Sequence, residues 1–306
     1  MENWINRRNF LGALGSLLFL PSSVSALFQK EHYSALKGRN TLSRHLPGTD
    51  LQLPVMGLGT RGAFISDWTA YDSIAEIIFA FRSYGGFCID TGPQFGDSEL
   101  ILGHIARDSG YLPMGRIDGD TYEAVMANLE ESLGKLRVNK FFLLQAHNVR
   151  KDSKSIKILK RLKKEQVTDF IGVTQYSNSQ SNHILWAMDQ GIDFIQVPYS
   201  VTDISAERDI FPAALEKNVG VIVNRPFSGG ALFEQVRDKK LPEFIQKWGI
   251  KSWSQLFLRF SISHPAVNLV LPGSKNPNHV LDNMKAGLAP VLTGSQRKQI
   301  LEAVYG

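Results

Sequence analysis

The sequence predicts a single (β/α)8 barrel with an atypical, shortened third βα unit. Three observations predict it. Apolar runs of strand length alternate with amphipathic helical stretches along residues 44–306. Several of those runs end on a polar residue followed by a loop rich in Gly or Pro. After a leader, no linker, repeat or low-complexity tract divides the 306-residue chain. Alternation of this kind calls for a parallel sheet with crossover helices. In a barrel built that way, the loops at the carboxyl edge of the strands converge on one mouth.

In chain order, 44–50 reads as one arm and the turn of a small hairpin, and 51–53 and 55–60 as strand material ending in a Gly-Leu-Gly-Thr turn. Residues 67–84 form a predicted helix with Ile74, Ile77, Ile78 and Phe81 on one side. The apolar run 86–89 ends in Asp90, a Gly/Pro loop follows, and Ser98, read as an N-cap, opens a helix to residue 107. The third strand has only 111–117 to draw on. Pro113 in mid-run disfavours a normally paired central strand, hence the expected irregular unit. A helix over 121–136, a strand over 141–146 and a helix over 153–164 come next. Strands over 170–176, 194–199, 220–226 and 268–272 follow, each preceded by helical sequence.

Net charge is +5 and the pI about 9.2. Much of the basic excess falls in 150–164, where Ile156, Ile158, Leu159 and Leu162 provide a buried face. The charges are thus the solvated side of a helix, and no nucleic-acid partner is expected. The lone Cys88 excludes an intrachain disulfide and reads as a buried, inert thiol. No spaced Cys/His cluster suggests a metal. Residues 1–26 are read as a leader. Arg7-Arg8 precede Phe10-Leu11, a weakly apolar run continues to Leu20, and Val24-Ser25-Ala26 offers small residues for cleavage. The stretch resembles a twin-arginine export signal and is too short for a stable membrane span. It implies the twin-arginine translocase as a partner during export and a periplasmic or otherwise exported location. Residues 27–43 are a pre-barrel segment.

The run Asp90-Thr91-Gly92-Pro93-Gln94-Phe95-Gly96-Asp97-Ser98-Glu99 resembles the aldo-keto reductases, whose second strand ends Asp-Thr-Ala-x-x-Tyr-Gly-x-Ser-Glu. Gly92 stands for the Ala and Phe95 for the Tyr. The resemblance continues to about residue 287. It implies NADP(H) as cofactor, held by Thr60 near the first turn and by Thr174 and Gln175 in Gly172-Val173-Thr174-Gln175-Tyr176. Gln196 is a further carboxamide partner, and Asn224 stands where the family usually has a Tyr stacked on the nicotinamide. By the same resemblance, Phe227 and Gly229 lie in the loop whose amides receive the pyrophosphate. Gly273, Ser274, Lys275 and Asn283 match the pieces that hold the adenosine 2′-phosphate and adenine, and His279 sits where an Arg often clamps that phosphate.

In that family a Tyr hydroxyl protonates the developing alkoxide, a Lys lowers its pKa, an Asp positions the Lys and a His orients the carbonyl. Asp90 and His147 supply two of the four. Phe95 has no proton to give. At the end of the third strand, where the Lys is expected, stand Met114, Gly115 and Arg116. A guanidinium does not release its proton near neutral pH and is no equivalent of Lys, so Asp90 is expected without its usual partner. The expectation is an exported NADP(H)-dependent oxidoreductase with an altered active site. Its small-molecule substrate is a carbonyl compound, a quinone-like acceptor or an activated alkene, and His147 is the remaining donor. The alternative is a catalytically silent nucleotide- or ligand-binding barrel.

Overall fold

The computed structural model describes residues 41–61, 71–106, 110–119, 121–151, 153–288 and 290–305. The leader, most of the pre-barrel segment and the start of the first predicted helix lie outside the described residues.

An antiparallel hairpin comes first, β1 (Ser43–His45) on β2 (Gln52–Pro54), with Arg44 opposite Leu53. Eight short strands then form one parallel sheet: β3 (Leu58–Gly59), β4 (Cys88–Asp90), β5 (Leu112–Ile117), β6 (Phe141–His147), β7 (Thr168–Thr174), β8 (Phe194–Pro198), β9 (Gly220–Asn224) and β10 (Val267–Val270). Their spatial order is their sequence order. The ring closes where Met56 bridges Val270 in parallel, with Gly57 N–H donating to the Val270 carbonyl and Val270 N–H to Val55, each at 2.9 Å.

Helices fill the crossovers: α1 (Tyr71–Ser83), α2 (Ser98–Ile105), α3 (Tyr122–Leu136), α4 (Ser155–Lys164), α5 (Ser181–Asp189), α6 (Ile210–Glu216), α7 (Ala231–Gln235), α8 (Glu243–Gln246), α9 (Trp253–Ile262), α10 (Pro277–Lys285) and α11 (Gly294–Tyr305). The apolar stripe of α4 is buried through Ile156, Ile158, Leu159 and Leu162, as its spacing predicts, and its lysines face away. Thr121 caps α3 by accepting from Ala124 N–H.

Two expectations are corrected. The third strand is properly paired on both sides: Pro113 lies opposite Ile89 of β4, and the ladder to β6 begins at Met114, one residue past the proline. The missing N–H therefore sits at the strand's entrance, where it is tolerated. Ser98 is not a cap. It is the first residue of α2, and its hydroxyl lies 3.1 Å from that of Thr91, which ties the helix to the loop after β4.

The amino end of the barrel is shut. Phe142, Phe170 and Phe194 meet edge to face, with centroids 5.1–6.2 Å apart. A Cβ on Gly220 would lie 2.7 Å from Phe194 and 2.8 Å from Leu46, so the hairpin seats over the starts of β8 and β9 and only glycine fits beneath it. Arg44 fastens the hairpin by donating to the carbonyls of Ile262, His264 and Val267, each at 2.7 Å, where α9 ends. Cys88 is fully buried, which pushes its thiol far above the usual range and leaves it inert.

His264 follows α9, its ring against those of Tyr199 and Phe211, and its Nδ1 accepts from Ala266 N–H at 3.2 Å. Burial first, and then the Arg297 guanidinium, push its pKa down to about 4. The unfolded chain takes up this proton near 6.5 and the folded chain does not. The stability His264 confers is therefore complete above about 6.5 and lost as pH falls from there toward the folded value. Denaturation of wild type and His264→Phe between pH 7 and 4 is expected to show wild type losing about 1–3 kcal/mol relative to the variant. Parallel curves would contradict this.

Candidate active site

Side chains from the carboxyl ends of neighbouring strands meet in a cavity of about 850 Å³. This is where a closed parallel barrel places its loops, and the size suits a ligand larger than a simple carbonyl compound. Asp90 ends β4. Thr60 donates both its N–H and its hydroxyl to the Asp90 carbonyl, at 3.0 Å each, and so fixes that strand end. The Asp90 carboxylate is buried and is not alone. Arg116 Nη2 donates to Oδ2 at 2.8 Å, and Gln145 Nε2 lies 3.4 Å from Oδ1.

Arg116 is the residue the sequence reasoning set aside. The β4–β5 register puts Asp90 beside Met114, and two residues further along a strand is the same face. Its side chain is only 7 % exposed. Nη1 donates to the Thr91 carbonyl at 2.8 Å, while Nε is buried with no partner among the described residues. A tight turn, closed by Phe95 N–H on the Gly92 carbonyl, lays the Phe95 ring against the guanidinium, 4.8 Å from centroid to Cζ. A desolvated contact of this kind contributes about 1–2 kcal/mol. Thus Asp90 has a cationic partner, an arginine in place of the lysine whose absence the sequence predicts.

His147 is the last residue of β6, level with Thr174 across the ladder, and it opens onto the cavity. Partial burial in the mouth, then Arg116 and Arg61, hold its pKa below the usual histidine value against the opposing pull of Asp90. Near neutral pH it is an uncharged imidazole, able to donate through one nitrogen.

Further round the ring, the carboxamides of Gln175, Gln196 and Asn224 line the same cavity. Gln175 Nε2 donates to the Val149 carbonyl at 2.8 Å and Asn224 Nδ2 to the Gln175 carbonyl at 2.9 Å, which fixes both amides. The side-chain oxygens of all three are buried without a partner among the described residues. Unpaired buried acceptors are costly, and three residues that carry one line the same cavity, an arrangement that suits a ligand with polar groups. Thr174 is buried at the end of β7, between His147 and Gln196 across the two ladders.

After β9 the chain turns with φ positive at Arg225, Ser228, Gly229 and Gly230. Turns of this kind can cup an anion with their amides. Two of them are already committed, Ser228 N–H to Arg225 and Gly230 N–H to Phe227. Phe227, Gly229, Gly273, Ser274 and Lys275 all border the cavity. A Cβ on Gly273 would lie 2.9 Å from the Gly59 carbonyl, so this glycine serves the packing of two loops. The Ser274 hydroxyl lies 3.4 Å from His279 Nδ1. Thr60 and Asn283 are buried and do not line the cavity. Asp282, beside Asn283, accepts from Ser252, Ser254 and Gln255 and so pins α10 to the start of α9. Tyr176, 53 % exposed, adds a ring at the rim that the sequence reading did not single out.

The chain matches the aldo/keto reductase family over residues 55–304. L-galactose dehydrogenase of Arabidopsis thaliana is 28% identical over 280 residues, spanning 79% of this chain and 87% of that protein. NADH-specific methylglyoxal reductase of Escherichia coli (strain K12) is 23% identical over 303 residues, spanning 78% and 91%. An aldo-keto reductase from Klebsiella pneumoniae, solved in complex with NADPH, superposes with a TM-score of 0.72 at 21% identity, over 86% of this chain and 95% of that one.

Proposed function

The chain belongs to the aldo/keto reductase family, and on that premise we propose that it is an NADP(H)-dependent oxidoreductase whose proton-handling centre has been rebuilt. One observation carries the reading: Gln175, Gln196 and Asn224, each with an unpaired carboxamide oxygen, line one cavity with His147, a set of residues that suits the amide of a nicotinamide. The solved Klebsiella relative holds NADPH on the same fold.

When bound, the cofactor supplies a hydride. The rest is the work of this chain. Gln175, Gln196 and Asn224 orient the carboxamide end, and Lys275 and Ser274 offer a cation and a hydroxyl to a 2′-phosphate. Phe227 gives the cavity an apolar wall, and neutral His147 orients the acceptor oxygen through a hydrogen bond. Phe95 stands where the family's tyrosine would be and offers no proton. Acceptors that need little protonation, such as quinone-like compounds and activated double bonds, suffer least from that loss.

Fluorescence titration is expected to show NADPH binding at micromolar concentration or tighter, with NADH weaker. Lys275→Ala should cost about tenfold in NADPH affinity and leave NADH unchanged. Equal affinities that Lys275→Ala does not alter would remove the 2′-phosphate assignment, and no binding of either would remove the function. The leader makes this an exported enzyme, carried folded by the twin-arginine route. Retention of an Arg7→Lys/Arg8→Lys variant inside the cell supports that reading, and unchanged export overturns it.

A further inference from the structure

Three side chains and a glycine at the cavity form a single interlocked unit. Asp90 holds Arg116, Arg116 lies on Phe95, and Gly92 sits beneath the pair. A Cβ at Gly92 would come within 2.9 Å of Gln94 Oε1 and 3.5 Å of Arg116 Nη1, so the glycine leaves room for both side chains. Arg116 borders the cavity, and each Nη keeps a second N–H beyond those given to Thr91 and Asp90. A decayed site would be expected to leave Asp90 unpaired or water-filled. Here Asp90 is paired, and the two side chains of the pair are only 6 % and 7 % exposed. His147, Arg61, Arg225, Tyr176 and Lys275 are further ionisable residues of the cavity lining.

We propose that Arg116 is the catalytic electrophile of this site: its guanidinium donates hydrogen bonds to the substrate oxygen as that oxygen becomes an anion, and no proton is transferred to it. The inference rests on the oxidoreductase reading above and deepens it by naming the substrate class. Adding a hydride from reduced nicotinamide to a quinone places two electrons and one proton on the acceptor, whose oxygen then carries a full negative charge. A fixed cation stabilises that charge without titrating. The hydroquinone anion leaves as such and takes its proton from water, releasing hydroxide. An aliphatic alkoxide is far too basic to leave in this way. The site therefore selects acceptors whose reduced form is a stable oxyanion, that is, conjugated carbonyls and quinones.

The test uses a phenol as a stand-in for that product and needs neither cofactor nor turnover. Binding of 4-nitrophenol to the purified full chain is followed by absorbance from below to above the pKa of the free phenol. Wild type is expected to bind the phenolate about tenfold or more tightly than the phenol, so the bound ligand ionises at lower pH than the free one. Arg116→Gln should bring the two affinities close to parity. Because that change leaves a buried carboxylate unpaired, the double variant Asp90→Asn/Arg116→Gln is measured beside it, and it too should lose the preference. A preference that persists in both variants overturns the proposal. So does one abolished by Arg61→Gln or His147→Gln instead, because the anion would then be held elsewhere in the mouth. NADPH titration is a separate measurement: phenolate preference without NADPH binding would remove the oxidoreductase reading alone, and NADPH binding without the preference would remove Arg116 alone.

Discussion

The double variant Phe95→Tyr/Arg116→Lys is expected to reduce simple aldehydes about 10²- to 10⁴-fold faster than wild type, the usual contribution of a positioned general acid. Neither substitution alone should come near this. A tyrosine at 95 brings a hydroxyl with a pKa near 10, too weak an acid unless a cation sits beside the oxygen. In the wild-type arrangement the guanidinium lies over the face of the ring, and one N–H on each Nη is taken by Thr91 or Asp90. A lysine at 116 keeps the ion pair with Asp90 and offers a compact ammonium that tunes readily. Steady-state rates with NADPH and an aliphatic aldehyde, measured across pH for all four proteins, would show it. The double variant should also acquire an ionisation on the alkaline side that wild type lacks. If Phe95→Tyr alone matches the double variant, arginine serves as well as lysine and this account of the site is wrong.

His147→Ala should lower turnover with a quinone about 10²-fold or more, with NADPH affinity changed little. The imidazole is neutral near physiological pH because partial burial and then Arg116 hold its pKa down. It therefore acts by orienting the acceptor oxygen through a hydrogen bond. Wild-type rates should be level from neutral pH upward and change only below the usual histidine range. Robust aldehyde reduction by wild type that survives His147→Ala would mean that Asp97 or a bound water donates the proton.

Much of the site was legible from strand ends. Asp90, His147, Gln175, Gln196 and Asn224 each follow an apolar run, and in a closed parallel barrel those positions converge without further information. Arg116 was not legible as a partner of Asp90. That pairing depends on the β4–β5 register, which no local pattern specifies, and Pro113 argued against a regular strand there. The structure shows the proline at the strand's entrance, before the ladder to β6 begins. Gly92 looked like a neutral departure from a motif, and its meaning lies in the side chains it leaves room for. Ser98 has the residue type of a cap but bonds to Thr91, because the folded loop brings that hydroxyl closer than the helix amides. Asn283 and Thr60 were assigned by resemblance alone, and both are buried and outside the cavity lining.

The way the hairpin and the first strand are fastened governs the order in which this chain can fold. Arg44 finds its carbonyl on Val267, 223 residues later, and Met56 finds its strand partner at Val270. A ribosome-bound chain that has not yet emitted β10 therefore has a sheet with two bare edges, at β3 and at β9, and a hairpin without its bond from Arg44 to Val267. Contacts this distant in sequence impose their loop-closure cost before they return any stability, which slows the last step of assembly. Bare parallel edges are sticky, so the nascent barrel is most prone to aggregate just before its final βα units emerge. Closing the ring removes both edges at once.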